Sequence, residues 1–302
     1  MHPMKPSMPT ARPARLRVGV VGAGRVGAVL GAALALAGHE VVAVSAVSTA
    51  SRERAADLLP GVPVLPVDEV VRRSELVLLT VPDDALADLV TGLAATGGFP
   101  RGALVAHTSG RHGLAVLEPA ARAGALPLAL HPVLPFAGTR VDLARLHGTA
   151  FGVTAPEALR PIAEALVLEM DGEPVWLTEA QRPLWHAALA HGANHLTTLV
   201  SSSADLLRAA GVESPGQVLA PLLGAALDGA LRSGDAALTG PVARGDAGTV
   251  RAHLEVLAQV APEVLPSYVA MARLTADRAI ASGRLDPDRA GALLDVLGTV
   301  PR

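Results

Sequence analysis

The segment Gly22-Ala23-Gly24-Arg25-Val26-Gly27 constrains this chain more than any other. It follows directly on the β-branched run Leu16 to Val21, LRVGVV. An Ala- and Leu-rich stretch then runs to Ala37, with Gly38 in a C-cap position, and Glu40 to Ser45 (EVVAVS) reads as the next strand. A lone GxGxxG is a weak signal, but strand, glycine turn, helix and strand within about 30 residues is a strong one. The reason is geometric: Gly22 permits a tight turn, Gly24 lets the backbone approach a pyrophosphate, and Gly27 lets the helix pack closely on the strand. The helix N-terminus then offers N–H groups and positive dipole to phosphates. Gly22, Gly24, Arg25, Val26 and Gly27 are therefore expected to contact a dinucleotide.

The end of the second strand bears on which dinucleotide. An NAD or flavin site usually has an acid there, about 20 residues past the glycines. Here the chain reads Val44-Ser45-Ala46-Val47-Ser48-Thr49-Ala50-Ser51-Arg52, with no carboxylate before Glu53. Without an acid there is no repulsion of a 2′-phosphate, and Ser48, Ser51 and Arg52 could hydrogen-bond or pair with one. The expectation is NADP, with NAD still open. An S-adenosylmethionine site usually has an acid just before the first glycine, where this chain has Val20 and Val21.

The alternation of strand and helix patterns continues. Strands are expected at residues 62–65, 75–81, 103–107, 126–130, 149–153 and 174–177. This order means a doubly wound parallel sheet, an α/β fold in which ligands lie outside the carboxyl ends of the strands. Val81, Pro82, Thr108, Ser109 and His131 fall at those ends. From about Thr178 the strand-like runs stop. Helices are expected from Trp185 to Ala210, stopped by Gly211, and at 215–233, 246–260, 262–282 and 287–297. The division expected is a flexible tail over residues 1–15, a dinucleotide-binding domain over 16–177 and a helical substrate and dimerisation domain over 178–302.

Small residues at Ala187, Ala188, Ala190, Gly192 and Ala193 would let another helix approach closely, and two subunits could bury such a helix together. The same helix carries His186, His191, Asn194 and His195. His191 and His195 have the spacing of a metal pair, but a third ligand and the HExxH glutamate are missing, so no metal is expected. The stretch Ala237 to Val250 (ALTGPVARGDAGTV) is a polar, glycine-punctuated loop between helices. In it Asp246 could cap the next helix and Arg244 could grip a carboxylate.

Composition narrows the chemistry further. There is no cysteine, which excludes disulfides, thiolate metal sites and a cysteine nucleophile. The only lysine is Lys5, so Schiff-base and phosphate-binding lysines are excluded beyond the start of the chain. Twenty-eight acids against 25 bases give a net charge of -3, which argues against a nucleic-acid surface. No apolar run reaches a membrane span, and no secretory signal is legible, so a cytoplasmic protein is expected.

GAGRVG at 22–27, LLTVPDDAL at 78–86, HTSG at 107–110, LHP at 130–132 with Phe136, HAALAHGAN at 186–194 and ALTGPVARGDAGTV at 237–250 occur in one order. Together they resemble the Rossmann-like proteins with a C-terminal domain of unknown function 2520, across residues 16–290. That family is similar in layout to pyrroline-5-carboxylate reductase and the 6-phosphogluconate dehydrogenase superfamily. The resemblance implies a helical C-terminal domain that makes a homodimer, with the active site between the domains. It carries His186 and Asn194 onto the family's histidine and asparagine, and Arg244, Gly245 and Asp246 onto its arginine loop. It implies an NADP(H)-dependent reductase of a small 2-oxo acid, with 2-dehydropantoate in pantothenate biosynthesis the leading substrate. His186, His191, Asn194, Arg244 and Asp246 are the expected catalytic set. Related enzymes place a lysine on the long helix where this chain has none; an imidazolium from His186 or His191 is the candidate proton donor. An imino-acid reductase is the near alternative. A non-catalytic NADP-binding sensor, or a deazaflavin partner in place of substrate, are readings of other kinds.

Overall fold

The structure is a computed structural model and describes residues 15–299. The tail read at residues 1–15 lies, apart from Arg15, outside the described residues. The chain forms two compact units, one ending at Ala193 and the other beginning at Asn194.

The first unit is built on seven strands: β1 (Arg17–Val21), β2 (Glu40–Ser45), β3 (Leu76–Leu79), β4 (Leu104–His107), β5 (Leu126–Pro132), β6 (Thr149–Thr154) and β7 (Gly172–Trp176). Their spatial order is β2-β1-β3-β4-β5-β6-β7. The first five are mutually parallel; β6 pairs antiparallel with β5, and β7 pairs parallel with β6. The helices of this unit are α1 (Arg25–Leu36), α2 (Thr49–Leu58), α3 (Val67–Arg72), α4 (Asp83–Ala95), α5 (Glu118–Arg122), α6 (Arg140–Arg145), α7 (Arg160–Glu169) and α8 (Arg182–Leu189).

Strand periodicity explains the layers. Successive side chains point to opposite faces, and in β3 Leu76 and Leu78 enter one core while Val77 and Leu79 enter the other. The first core is closed by α1, α2 and α7, the second by α3, α4 and α5. Continuous apolar runs such as LVLL are what a strand covered on both faces requires.

Two sequence expectations are corrected here. Residues 62–65 do not form a strand: only Val64 bridges to Val44, because the segment is too short and proline-flanked to extend a ladder. The helix expected from Trp185 to Ala210 begins earlier, at Arg182, and is interrupted. α8 passes into a π-helical turn, Ala190–Asn194, and then α9 (His195–Ala209). Hydrophobic periodicity does not report a one-residue insertion of this kind.

The second unit is helical: α9, α10 (Pro215–Ser233), α11 (Ala247–Val260), α12 (Leu265–Ala281) and α13 (Pro287–Gly298). Its core is made by α11, α12 and α13, around Val250, Leu254, Val269, Ala276 and Leu293. Among the described residues no helix is long and apolar enough to cross a membrane.

Candidate functional site

The chain leaves β1 for β2 on one side and returns to β3 on the other, so the switch point of the sheet lies beside β1. Gly22 stands there with φ +95°, a conformation that disfavours any side chain. Its carbonyl accepts from Thr80 Oγ1 at 2.6 Å, its N–H donates to Ser45 Oγ at 2.9 Å, and Ala23 N–H donates to the Ser45 carbonyl at 2.8 Å. The ends of β2 and β3 thus tie the turn from both sides. A Cβ on Gly27 would stand 2.3 Å from the Gly22 carbonyl and 2.2 Å from Thr80 Oγ1, so only glycine fits. Val81 flanks Gly22, its Cγ1 3.4 Å from where a Cβ would sit. Gly24 differs: a Cβ there would meet nothing nearer than 3.9 Å, so its surroundings are open. Helix α1 then starts at Arg25 and Val26 with neither a side-chain cap nor an acid in its first turn. Other helices close that end themselves, α2 with Ser48 and α11 with Asp246.

Beyond β2, Ser48 Oγ accepts from Ser51 N–H at 3.1 Å, and Arg52 Nε donates to the Ala46 carbonyl at 3.4 Å. Ser45, Val47, Arg52, Val64 and Pro66 line a cavity of about 320 Å³. Arg54 lies on the glycine turn itself, with Nη1 3.5 Å from the Ala23 carbonyl. Gly138 fits against Arg54 and Arg25, since a Cβ on it would stand 2.5 Å from Arg54 Nε and 3.0 Å from Arg25 Cγ. The side chains of Arg54 and Arg25 thus both pass Gly138, beside the turn.

The ends of β4 and β5 carry a second polar group. His107 is fully buried; its Nε2 donates to the Gly113 carbonyl at 2.8 Å and its Nδ1 accepts from Ser109 N–H at 3.2 Å. Burial pushes its pKa down to about 4, so it is neutral near pH 7. Arg182, also fully buried, reaches Thr154 Oγ1 (2.8 Å) and the carbonyls of Ser109 (3.0 Å), Ala129 (2.9 Å) and Gly152 (2.9 Å). Burial lowers its pKa to about 10, which leaves it cationic. Ser109 is committed to the protein on both sides, for its Oγ accepts from His112 N–H at 3.2 Å. Thr108 N–H donates to the Leu79 carbonyl at 3.3 Å, and Pro82 precedes α4 as its N-cap. His131 accepts through Nδ1 from Trp185 Nε1 at 3.1 Å and meets His186 edge-on, with ring centres 6.0 Å apart. Burial, with His186 and Arg182 adding to it, lowers the His131 pKa to about 4.

His191 and Asn194 both belong to the π turn, and the boundary between the units falls inside it. In the second unit, Asp246 Oδ1 accepts from Thr249 N–H at 3.1 Å and Oδ2 from Thr249 Oγ1 at 2.7 Å. These bonds hold its carboxyl below the usual carboxylate range. Arg244, Arg284, Arg289, Asp246 and Asp286 line a cavity of about 870 Å³. Among the described residues no group of three or more histidines and acids is placed to hold a metal.

The structure thus brings Gly22, Gly24, Arg25, Val26, Gly27 and Val81 together. It puts Ser48 and Arg52 at the end of β2, and Arg244 and Asp246 on one loop. Sequence reasoning missed Ser45, Thr80, Arg54, Arg182 and the pairing of His131 with Trp185. Thr80 and His131 are legible as strand-end residues. Nothing in the sequence sets Arg182 apart from the other arginines.

These features define an α/β protein of the dinucleotide-binding type joined to a separate helical unit. Residues 2–132 match the family profile of the Rossmann-like domain, and residues 149–275 match that of the domain of unknown function DUF2520. The chain is therefore a Rossmann-like domain followed by a DUF2520 domain. No curated protein matches it. Its fold is similar to that of a candidate NADP oxidoreductase from Bacteroides fragilis (TM-score 0.76, 22% identity, covering 87% of this chain and 98% of that one). It is similar also to a reductive aminase from Aspergillus terreus in complex with NADPH and ethyl levulinate (0.63, 19%, 93% and 99%). A pyrroline carboxylate reductase from Plasmodium falciparum with NADP bound gives 0.57 and 12% identity, covering 89% and 97%.

Proposed function

We propose that the chain is an NADP(H)-dependent oxidoreductase that reduces the C=O or C=N bond of a small carboxylic acid. The observation that carries this reading is the open Gly24 ahead of an uncapped, acid-free helix N-terminus, with Arg25 and Arg54 gathered beside it. Free N–H groups, helix dipole and guanidinium charge suit a diphosphate. The end of β2, with Ser48, Arg52 and no carboxylate, suits a 2′-phosphate rather than a bare ribose. When bound, the dinucleotide would supply a hydride. The relatives described above are named for NADP, NADPH and imine or carbonyl substrates, which favours the same chemistry.

Within that reading, 2-dehydropantoate is the first substrate to test. Arg244 is assigned the substrate carboxylate, Asn194 the orientation of the reacting group, and His186 or His191 the proton. An imino acid of the pyrroline-5-carboxylate type is the alternative. It is favoured by two of the fold relatives and by the lack of any lysine after Lys5, since an imine needs less acid assistance than a ketone. We also propose a homodimer through the C-terminal helices. Leu222 and Leu231 of α10 are 63% and 79% exposed in the single chain, and no residue of α9 is buried.

The test is NADPH oxidation at 340 nm by the purified protein, with 2-dehydropantoate and with pyrroline-5-carboxylate, and NADH in parallel. Turnover on the order of 1 s⁻¹ or more with either acid supports the reading. Saturable NADPH binding without turnover on any oxo or imino acid would favour a sensor instead. Arg244→Ala is expected to raise KM or abolish turnover while NADPH binding survives; loss of NADPH binding would remove its carboxylate role.

A further inference from the structure

We propose that Nε2–H of His131 donates the hydrogen bond that polarises the substrate's carbonyl or imine group, with Trp185 holding the ring in the tautomer this requires. The inference rests on the reductase reading and assigns a residue which that reading leaves unused.

The geometry begins with Trp185. An indole nitrogen can only donate, so the His131 Nδ1 that it faces at 3.1 Å must present a lone pair. The ring proton of the neutral imidazole then sits on Nε2. That nitrogen lies close beside Gly110, whose missing side chain makes room for the ring. A Cβ on Gly110 would stand 2.8 Å from His131 Nε2, 3.0 Å from His131 Cε1 and 2.6 Å from His186 Cδ2. A side chain at 110 would strike both rings, so glycine lets them meet close against the backbone there. His131 itself is one residue from the end of β5, which runs parallel to β1, so it lies at the same end of the sheet as the glycine turn.

The charged and titratable groups around His131 agree with a donor that stays neutral. His186 meets it edge-on, Arg182 lies behind it, and Asp83 is the acid that acts against them. Burial, then His186 and Arg182, keep the ring unprotonated at neutral pH. A neutral imidazole donates a hydrogen bond but does not release its proton, so His131 polarises and another group protonates. With a bound NADPH supplying hydride (two electrons and a hydrogen) to the substrate carbon, the C=O or C=N π pair would move onto oxygen or nitrogen. The hydrogen bond from His131 strengthens as that charge grows. The oxygen or nitrogen takes its proton from His186, which regains one from water, and NADP⁺ is left.

The experiment uses the full chain saturated with NADP⁺, in which no turnover occurs, and labelled with ¹⁵N-histidine. Long-range ¹H–¹⁵N NMR is expected to find His131 as the Nε2–H tautomer from pH 8 to 5. Adding 2-dehydropantoate or pyrroline-5-carboxylate is expected to shift Nε2. In turnover, His131→Ala is expected to lower kcat about 100-fold or more, as removal of a transition-state donor does, with NADP⁺ affinity unchanged. His131→Gln, which keeps an N–H donor, is expected to recover part of the loss. Trp185→Phe should let both tautomers appear in the spectrum. An Nδ1–H tautomer, an Nε2 resonance indifferent to both acids, or full turnover by His131→Ala would overturn the proposal. Failure of the reductase reading is seen separately and first, as wild-type protein that oxidises no NADPH with either acid; it removes this role of His131 with it.

Discussion

The two units bury their apolar residues to very different degrees. In the first, both faces of the sheet are covered, and even the polar side chains inside it, His107, Asp142 and Arg182, are fully enclosed. In the second, α11, α12 and α13 make a core while α9 has no buried residue and α10 has only Pro215 and Leu219. The sheet unit completes its own interior. The helical unit leaves two long helices with exposed leucines, the feature on which the proposed homodimer rests. Precision of placement follows the same division. The glycine turn, Thr80, His131 and Arg182 are fixed by interior packing and hydrogen bonds, whereas Arg244 lies exposed on a loop.

The largest effect is expected at the most enclosed charge. Arg182→Met would leave three backbone carbonyls and Thr154 Oγ1 without their donor, at a cost of roughly 3 kcal/mol or more. Urea denaturation followed by the far-ultraviolet signal measures it, and a loss below about 1 kcal/mol would mean that water replaces the guanidinium. The same variant should raise the titration point of His131, since Arg182 helps to lower it.

Acid should act on the sheet unit before the helical one. The unfolded chain protonates histidine near 6.5, while His107 and His131 resist it down to about 4. Below 6.5 the unfolded state therefore binds protons that the native state does not. Stability falls as pH drops from 6.5 to 4, and levels off once both states are protonated. For buried His107 alone the loss amounts to about 3 kcal/mol at most. Denaturation midpoints across this range check it; a flat profile would show that His107 takes up protons in the folded state.

The exposed helices give the next test. If the proposed homodimer forms, Leu222→Asp should shift it to monomer in sedimentation, with the sheet unit's thermal transition retained. A wild-type monomer would break the contrast between the units at once. The smallest expected effect is at the cofactor's basic mouth. Arg54→Ala should weaken NADPH binding roughly 10-fold, about 1.4 kcal/mol. NADH should be weakened equally, as a diphosphate contact requires; weakening of NADPH alone would move Arg54 to the 2′-phosphate.

Local rules made much of this fold legible in the chain. Glycines at 22, 24 and 27 between a β-branched run and an Ala-rich run allow few other structures, because each needs a backbone or a close approach that a side chain forbids. Helix α10, expected at about 215–233, forms over Pro215–Ser233, because proline starts it and glycine stops it. The strand expected at 62–65 failed because so short a segment, with Pro63 inside it and Pro66 after it, does not extend the ladder beyond Val64. The π turn failed because a bulge is decided by how both flanking helices are anchored. Tertiary structure alone decided that Arg182, some 30 to 70 residues from its partners, would tie β5, β6 and the loop after β4 together. It alone set Trp185 on His131 and Arg54 on the glycine turn. Those pairings depend on which strands become neighbours in the sheet. Strand order is fixed by long-range burial, and no local pattern of residues encodes it.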